Sequence, residues 1–524
     1  MALYKPENVA IMHLEQSNKG KEMELQLDPG NKLPAYMQIR NQLREQILHG
    51  DLPAGTRLPP ERALARSLGV SRTTVVNAYD ELEADGLVKG YVGRGTIVVE
   101  EAAWADAQPI AWPAHFSGQG RRLAQHAQPT ELLTLHRLSA QPGVISLALG
   151  HPDPTLLSPE RLQQAWEAIV GRMGTAAVGV CPVQGAAAVQ EVIAAQMRER
   201  GVTVSPEGVV VASGSQHGLD LVLRLLAEPG DAVLVEIPTY FGALQCFQSW
   251  GVRLITVPVD EEGMDVERVE FLLARYRPRF IYTVPTYQNP TGATMSLERR
   301  ERLLALAQRY QVPILEDDPF GDLYFHRPPP PPIKALDRHG HVLYLSTFSK
   351  NLAPGLRVGW LAAPSPLVER AVLLNRVTEL QPNTVGQHLV VEFARQGWLE
   401  DQIRSARATY SARCQAMATA LRRRRPPGVR WAVPEGGMFL WLHLPEHVNA
   451  HDLLVETGQR GVVFLPGSLM YPAGGPGNVC RLNFSVPDEA AIEQGIATIV
   501  AALSRLLRRP VAASDEQVAA GPVV

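Results

Sequence analysis

The chain has 524 residues, 45% hydrophobic and 20% charged, a length that exceeds one core and calls for several domains. A net charge of −3 gives no bulk attraction to nucleic acid, so any DNA partner must rest on a motif. Cys181, Cys246, Cys414 and Cys480 lie far apart, which excludes zinc-type spacing and a disulfide framework and fits a reducing cytoplasm. The start M-A-L-Y-K-P-E-N lacks a basic-then-apolar signal pattern, and no apolar run approaches ~20 residues, so no membrane span is expected.

Residues 1–30 are polar without clear periodicity and read as a flexible arm. Within 31–100, Tyr36, Ile39, Leu43 and Ile47 share one helical face, and Gly50 ends it. The run P-P-E-R-A-L-A-R-S-L-G-V-S-R-T-T-V-V-N-A-Y-D-E-L-E-A-D-G reads helix, turn at Gly69, helix. Pro60 opens the earlier helix, Ser71 caps the later one, and Gly86 follows its end. Two short strands around G-R-G at 93–95 complete a hairpin. Residues 101–143, rich in Ala, Gln, Trp and Pro, read as a linker with a short helix near 131–138. From 144, short apolar strands alternate with helical spans, the pattern of an α/β body with a mostly parallel sheet. Its large domain is placed at 144–385 and a small C-terminal domain at 386–508, and 509–524 reads as a disordered tail.

The S-R-T-T run at 71–74 suits the groove-facing end of a reading helix. Arg72 can fork onto guanine or phosphate, Thr73 and Thr74 offer hydroxyls, and the G-R-G tip puts Arg94 at the minor groove. The segment L-P-P-E-R-A-L-A-R-S-L-G-V-S-R-T-T-V-V-N-A-Y-D-E-L-E-A-D-G-L-V, with the later G-R-G-T, resembles the winged helix-turn-helix of the GntR family. The resemblance implies DNA contacts at Arg62, Ser71, Arg72, Thr73, Thr74, Arg94 and Gly95.

In the body, P-T-Y-Q-N-P-T-G (285–292), E-D-D-P-F (316–320) and S-T-F-S-K (346–350) each follow an apolar strand, and parallel sheets gather such loops at one edge. Pyridoxal phosphate chemistry needs an amine, a carboxylate for the pyridine nitrogen, a donor for the ring oxygen and an anion cradle. Lys350, Asp317, Asn289 and S-G-S-Q at 213–216 supply one of each. The ordered set resembles the fold-type I aminotransferases, especially the aminoadipate/kynurenine branch. By that resemblance Lys350 forms the Schiff base, Asp317 pairs the pyridinium, Asn289 bonds the ring oxygen and Tyr240 stacks on the ring. Ser215, Gln216, Thr347, Ser349 and Arg357 then surround the phosphate, and Arg481 clamps a substrate or effector carboxylate. Two departures stand out: Phe320 where that family has a tyrosine, and Val180 where it often has a tyrosine reaching the neighbouring subunit.

A GntR-type head joined to such a body resembles the MocR subfamily of transcription regulators. The resemblance implies a cytoplasmic head-to-tail homodimer on a double-stranded DNA operator with two half-sites. The body would sense a small amino compound, or the cofactor itself, at Lys350, and act more as a sensor than as an efficient catalyst. The rivals are an active aminotransferase with an appended DNA-binding domain, and a DNA-binding protein whose body is only a dimerisation scaffold.

Overall fold

The computed structural model describes residues 9–13, 22–28, 30–31, 33–91, 93–99, 112–125 and 128–508. They fall into two compact units, Met1–His115 and Phe116–Val524.

In the first unit, helices Ala35–Leu48, Glu61–Leu68 and Arg72–Ala84 pack around Leu43, Leu64, Val75, Ala78 and Leu82, all fully buried. Pro60 precedes the second helix, and Gly69 ends it with φ 66°, a left-handed residue that only glycine adopts without strain. Ser71 caps the third by accepting from the Thr74 amide at 3.2 Å. Strands Val88–Tyr91 and Gly95–Val98 pair antiparallel, and Gly93 and Gly95 supply the positive φ angles of the turn between them. The flexible-arm reading is corrected in part. Strands Val9–His13 and Glu22–Gln26 form an antiparallel hairpin, with Met23 and Leu25 buried in the three-helix core. Met23, Leu25 and Leu27 alternate with polar residues, a period-two signal too short to stand out from a polar background.

The second unit is built on an eight-stranded sheet in the order 209–212, 359–362, 342–347, 314–317, 281–283, 232–237, 253–260, 263–264. Pairings among the strands from 342–347 to 253–260 are parallel, and Gly359–Ala362 runs antiparallel between its two neighbours. The strands are buried on both faces, as helix-covered parallel sheets require. A five-stranded sheet forms the smaller layer. Its edge strand Ile145–Leu147 pairs parallel with Val462–Pro466, so the start of the region placed in the large domain belongs to the small-domain sheet. Sequence proximity cannot reveal that pairing across more than half the chain.

The region read as a linker is largely helical where it is described: Trp112–His115, Gly118–Gln125 and Gln128–Ser139. Leu132 and Leu135 of the last are buried against Trp441, Val463 and Leu465. The tail at 509–524 lies outside the described residues, as do parts of the arm and linker. Among the described residues, no helix is long and apolar enough to cross a membrane.

Candidate cofactor site and nucleic-acid interface

The motif loops meet at the C-terminal edge of the parallel strands. Asp317 ends strand Ile314–Asp317, Thr347 ends Val342–Thr347, and the loop to Asn289 follows Ile281–Thr283. Lys350 lies three residues past Thr347, half-buried, and its Nζ donates to the Gly150 carbonyl at 2.7 Å. Burial and the nearby Arg481 guanidinium push its amine down to about 8. A useful fraction of this lysine is therefore the neutral nucleophile near neutral pH.

Asp317 is buried, and one carboxylate oxygen accepts from the Tyr282 hydroxyl at 2.8 Å while the other, Oδ1, has no partner. Burial raises its pKa to about 7, against the Tyr282 hydrogen bond, which favours the charged form. Arg481 is the mirror case. Its Nη1 donates to Asn289 Oδ1 at 2.8 Å and its Nη2 to the Ala148 carbonyl at 2.7 Å; Nε has no partner. The guanidinium lies 4.0 Å from the centroid of the Phe439 ring, and burial pulls its pKa down to about 9. A buried carboxylate and a buried guanidinium, each with an unused atom, cost free energy that a complementary ligand recovers.

The anion cradle is also assembled. Helix Ser215–Leu226 starts without a side-chain cap after Gly214, whose φ is 87°. Arg357 donates to the Ser213 carbonyl at 2.6 Å, and a Cβ on Gly214 would stand 2.7 Å from the Arg357 Nη2. Thr347 is in register with Gly359, where an added Cβ would meet the Gly214 carbonyl carbon at 2.5 Å. The Thr347 hydroxyl donates to Ser349 Oγ at 2.9 Å. Gln216 reaches sideways to the Gly242 carbonyl at 2.9 Å rather than toward the cradle. Tyr240 caps the next helix, Phe241–Trp250, and feels the charges of Asp317, Arg481 and Arg357, with burial pushing its phenol up to about 12. The amine, the orphaned carboxylate oxygen and the uncapped helix start match the imine carbon, the pyridinium and the phosphate of pyridoxal phosphate.

Tyr282 and the Gly150 carbonyl escaped the sequence reading, since a strand tyrosine and a loop glycine carry no motif. Phe320 is 2% exposed and meets Phe439 edge-on at 5.6 Å, so that position offers no hydroxyl. Val180 is 92% exposed. At the end of helix Trp398–Arg424, Arg423 and Arg424 form ion pairs with Glu493.

On the first unit, Arg62, Ser71, Arg72, Thr73, Arg94 and Gly95 are exposed, and Thr74 is half-buried. Ser71 and Thr74 share a 2.8 Å hydrogen bond, so both serve the cap. Arg72 is held by Glu61 through Nε at 3.0 Å and Nη2 at 2.8 Å. Arg57 was missed: its guanidinium packs against Gly95 at the wing, where an added Cβ would stand 3.0 Å from Nε.

The perturbed lysine and aspartate each set a measurable outcome. The rate at which apoprotein captures pyridoxal phosphate, read as growth of its visible band, rises with pH and levels off above about 8. An ordinary lysine would keep accelerating toward about 10.4. Asp317→Asn removes a carboxylate that burial disfavours, so the apoprotein keeps at least its wild-type heat stability. Cofactor affinity meanwhile falls by roughly 10- to 100-fold, the worth of one hydrogen bond to a charged group at about 1.5–3 kcal/mol. Titration by absorbance and a thermal melt check the two halves.

Residues 143–499 match the family "Aminotransferase class I and II", and residues 35–98 match "Bacterial regulatory proteins, gntR family". The "Uncharacterized HTH-type transcriptional regulator YisV" of Bacillus subtilis is 32% identical over 92% of this chain and 99% of its own. "Probable rhizopine catabolism regulatory protein MocR" of Rhizobium meliloti is 30% identical over 92% of this chain and 96% of its own. The alpha-aminoadipate aminotransferase LysN of Thermus thermophilus, solved with N-(5'-phosphopyridoxyl)-L-leucine, superposes with a TM-score of 0.71 at 34% identity, covering 76% of this chain and 99% of that one. A GntR-type winged helix joined to a pyridoxal-phosphate-binding class I and II aminotransferase fold places the chain in the MocR subfamily of GntR-type regulators.

Proposed function

We propose that the protein is a cytoplasmic transcription regulator whose body binds pyridoxal phosphate and senses a small, carboxylate-bearing amino compound at Lys350. The observation that carries this is the pair of unused buried atoms, Asp317 Oδ1 and Arg481 Nε, on groups whose charges act on Lys350. When bound, pyridoxal phosphate supplies a carbon that exchanges one amine for another without net redox change, and a ring that takes up electrons. Asp317 holds a proton at the ring nitrogen. Asn289, its Oδ1 held by Arg481, would keep its amide N–H for the ring oxygen, and Arg481 would keep Nε for a carboxylate. The Gly150 carbonyl holds the Lys350 amine whenever it is not covalently engaged. The site residues that the motifs predict thus have complementary tasks, with Gln216 supporting the fold of the cradle.

The reading helix and wing bind double-stranded DNA. In a head-to-tail homodimer two heads meet two half-sites of one operator. Only a difference in DNA affinity between amine-bound and amine-free forms can regulate, so the body must have two arrangements. Lost phenols at positions 180 and 320 favour sensing over turnover. Lys350, Asp317 and Asn289, all retained, keep amino-group transfer as the second reading.

The test is an absorbance titration of cofactor-loaded protein with primary amino acids and with their N,N-dimethyl counterparts, which keep the charge but form no imine. A saturating spectral shift with primary amines alone is expected. Equal responses to both series, or none, would remove the sensing role of Lys350.

A further inference from the structure

The helix that presents Tyr240 to the cofactor site is gripped at its other end by the segment that follows the DNA-binding unit. Helix Phe241–Trp250 is a single rigid element of about 15 Å. Its first turn carries Tyr240 as cap and Gly242, whose carbonyl accepts from Gln216. An added Cβ at Gly242 would stand 2.5 Å from the Tyr240 hydroxyl, so the tyrosine folds back over its own helix. At the C-terminal end, Arg122 of helix Gly118–Gln125 donates from Nε to the Ser249 carbonyl at 3.0 Å and from Nη2 to the Trp250 carbonyl at 2.9 Å. Those carbonyls belong to the last turn, the negative end of the helix dipole, where a guanidinium is favoured. Gly251, with φ 93°, ends the helix, and an added Cβ there would stand 2.8 Å from Arg122 Cζ. The absence of a side chain at 251 is thus what admits the arginine.

A second contact runs along the same path. Phe241, in the first turn, packs on the cluster that buries Leu132 and Leu135 of helix Gln128–Ser139. Helix Gly118–Gln125 thus grips the C-terminal end of Phe241–Trp250, helix Gln128–Ser139 shares the buried cluster on which its first turn packs, and this two-helix strap continues by chain connection into the winged-helix unit. A solvated linker arginine would need neither paired carbonyls nor a glycine opposite it.

We infer that Arg122 is a positioning residue that couples occupancy of the cofactor site to docking of the strap helix Gly118–Gln125, through helix Phe241–Trp250. This rests on the cofactor reading above. Coupling between two equilibria is reciprocal: if loading the cofactor tightens the strap, the docked strap must raise cofactor affinity by the same factor. A merely structural Arg122 has no such obligation.

The experiment uses the full-length protein, wild type, Arg122→Ala and Arg122→Lys, each apo and loaded with pyridoxal phosphate. Affinity is read from the visible band and amide hydrogen exchange is read by segment. In the wild type, loading should slow exchange in both 241–250 and 118–125. In Arg122→Ala the response in 118–125 should be lost, that in 241–250 kept, and cofactor affinity weakened; Arg122→Lys should recover part of both. Unchanged cofactor affinity in Arg122→Ala would overturn the coupling, as would a surviving response in 118–125. A wild type that binds cofactor with a silent strap would overturn it too. No visible band on loading would instead remove the cofactor reading and the coupling with it.

Discussion

Lys350→Ala is expected to abolish the visible band of the loaded protein altogether and to leave duplex affinity indifferent to amino compounds. Its Nζ is the amine that burial and Arg481 hold down to about 8, and its hydrogen bond is to a carbonyl rather than to a carboxylate that would hold it charged. The side chain is half-buried at the edge of the sheet, so its removal leaves the strand core and the separate winged-helix unit intact. Duplex binding without added amine therefore persists in this variant. Spectra and duplex titrations, with and without an amine panel, read the outcome. A Lys350→Ala protein that still changes DNA affinity with amines would place the sensing elsewhere.

The second large effect lies at the reading helix. Arg72→Ala should weaken binding to a duplex enriched from a random pool by about 1–3 kcal/mol and relax preference at the contacted base, the cost of one forked arginine contact. The structure adds a partner. Glu61 holds Arg72 at 2.8 Å in the free protein, so binding DNA means exchanging a carboxylate for a base or phosphate. An exposed pair of this kind is worth only about 0–1 kcal/mol to stability, so the exchange is cheap. Glu61→Gln should then tighten duplex binding and hardly move the melting temperature. Unchanged affinity in both variants, measured at fixed salt, would take the third helix out of the groove.

How much of this was legible without coordinates depended on the range over which the signal acts. The reading helix, its Ser71 cap and the glycine-flanked wing are local, each encoded within a few residues, and they stand where the sequence puts them. The gathering of Lys350, Asp317 and Asn289 was legible for a different reason: each sits at or shortly after the end of an apolar strand, and parallel sheets bring strand ends together. What stayed hidden acts at long range. Arg122 meets carbonyls more than a hundred residues away, and Ile145–Leu147 pairs with a strand more than three hundred residues on. The Glu61–Arg72 pair was hidden because both residues also fit simple solvation. The alternating Met23, Leu25 and Leu27 were too few to announce a hairpin.

The central claim is that amine binding in the body changes DNA binding by the head. The most direct measurement is the ratio of duplex affinities of full-length, cofactor-loaded protein with and without a saturating primary amino acid chosen by its spectral shift. Formation of 2-oxoacid is followed in the same samples. A ratio well away from one, with no sustained oxoacid production, is the predicted result. A ratio of one with continuous oxoacid production would contradict it and make the body a working aminotransferase.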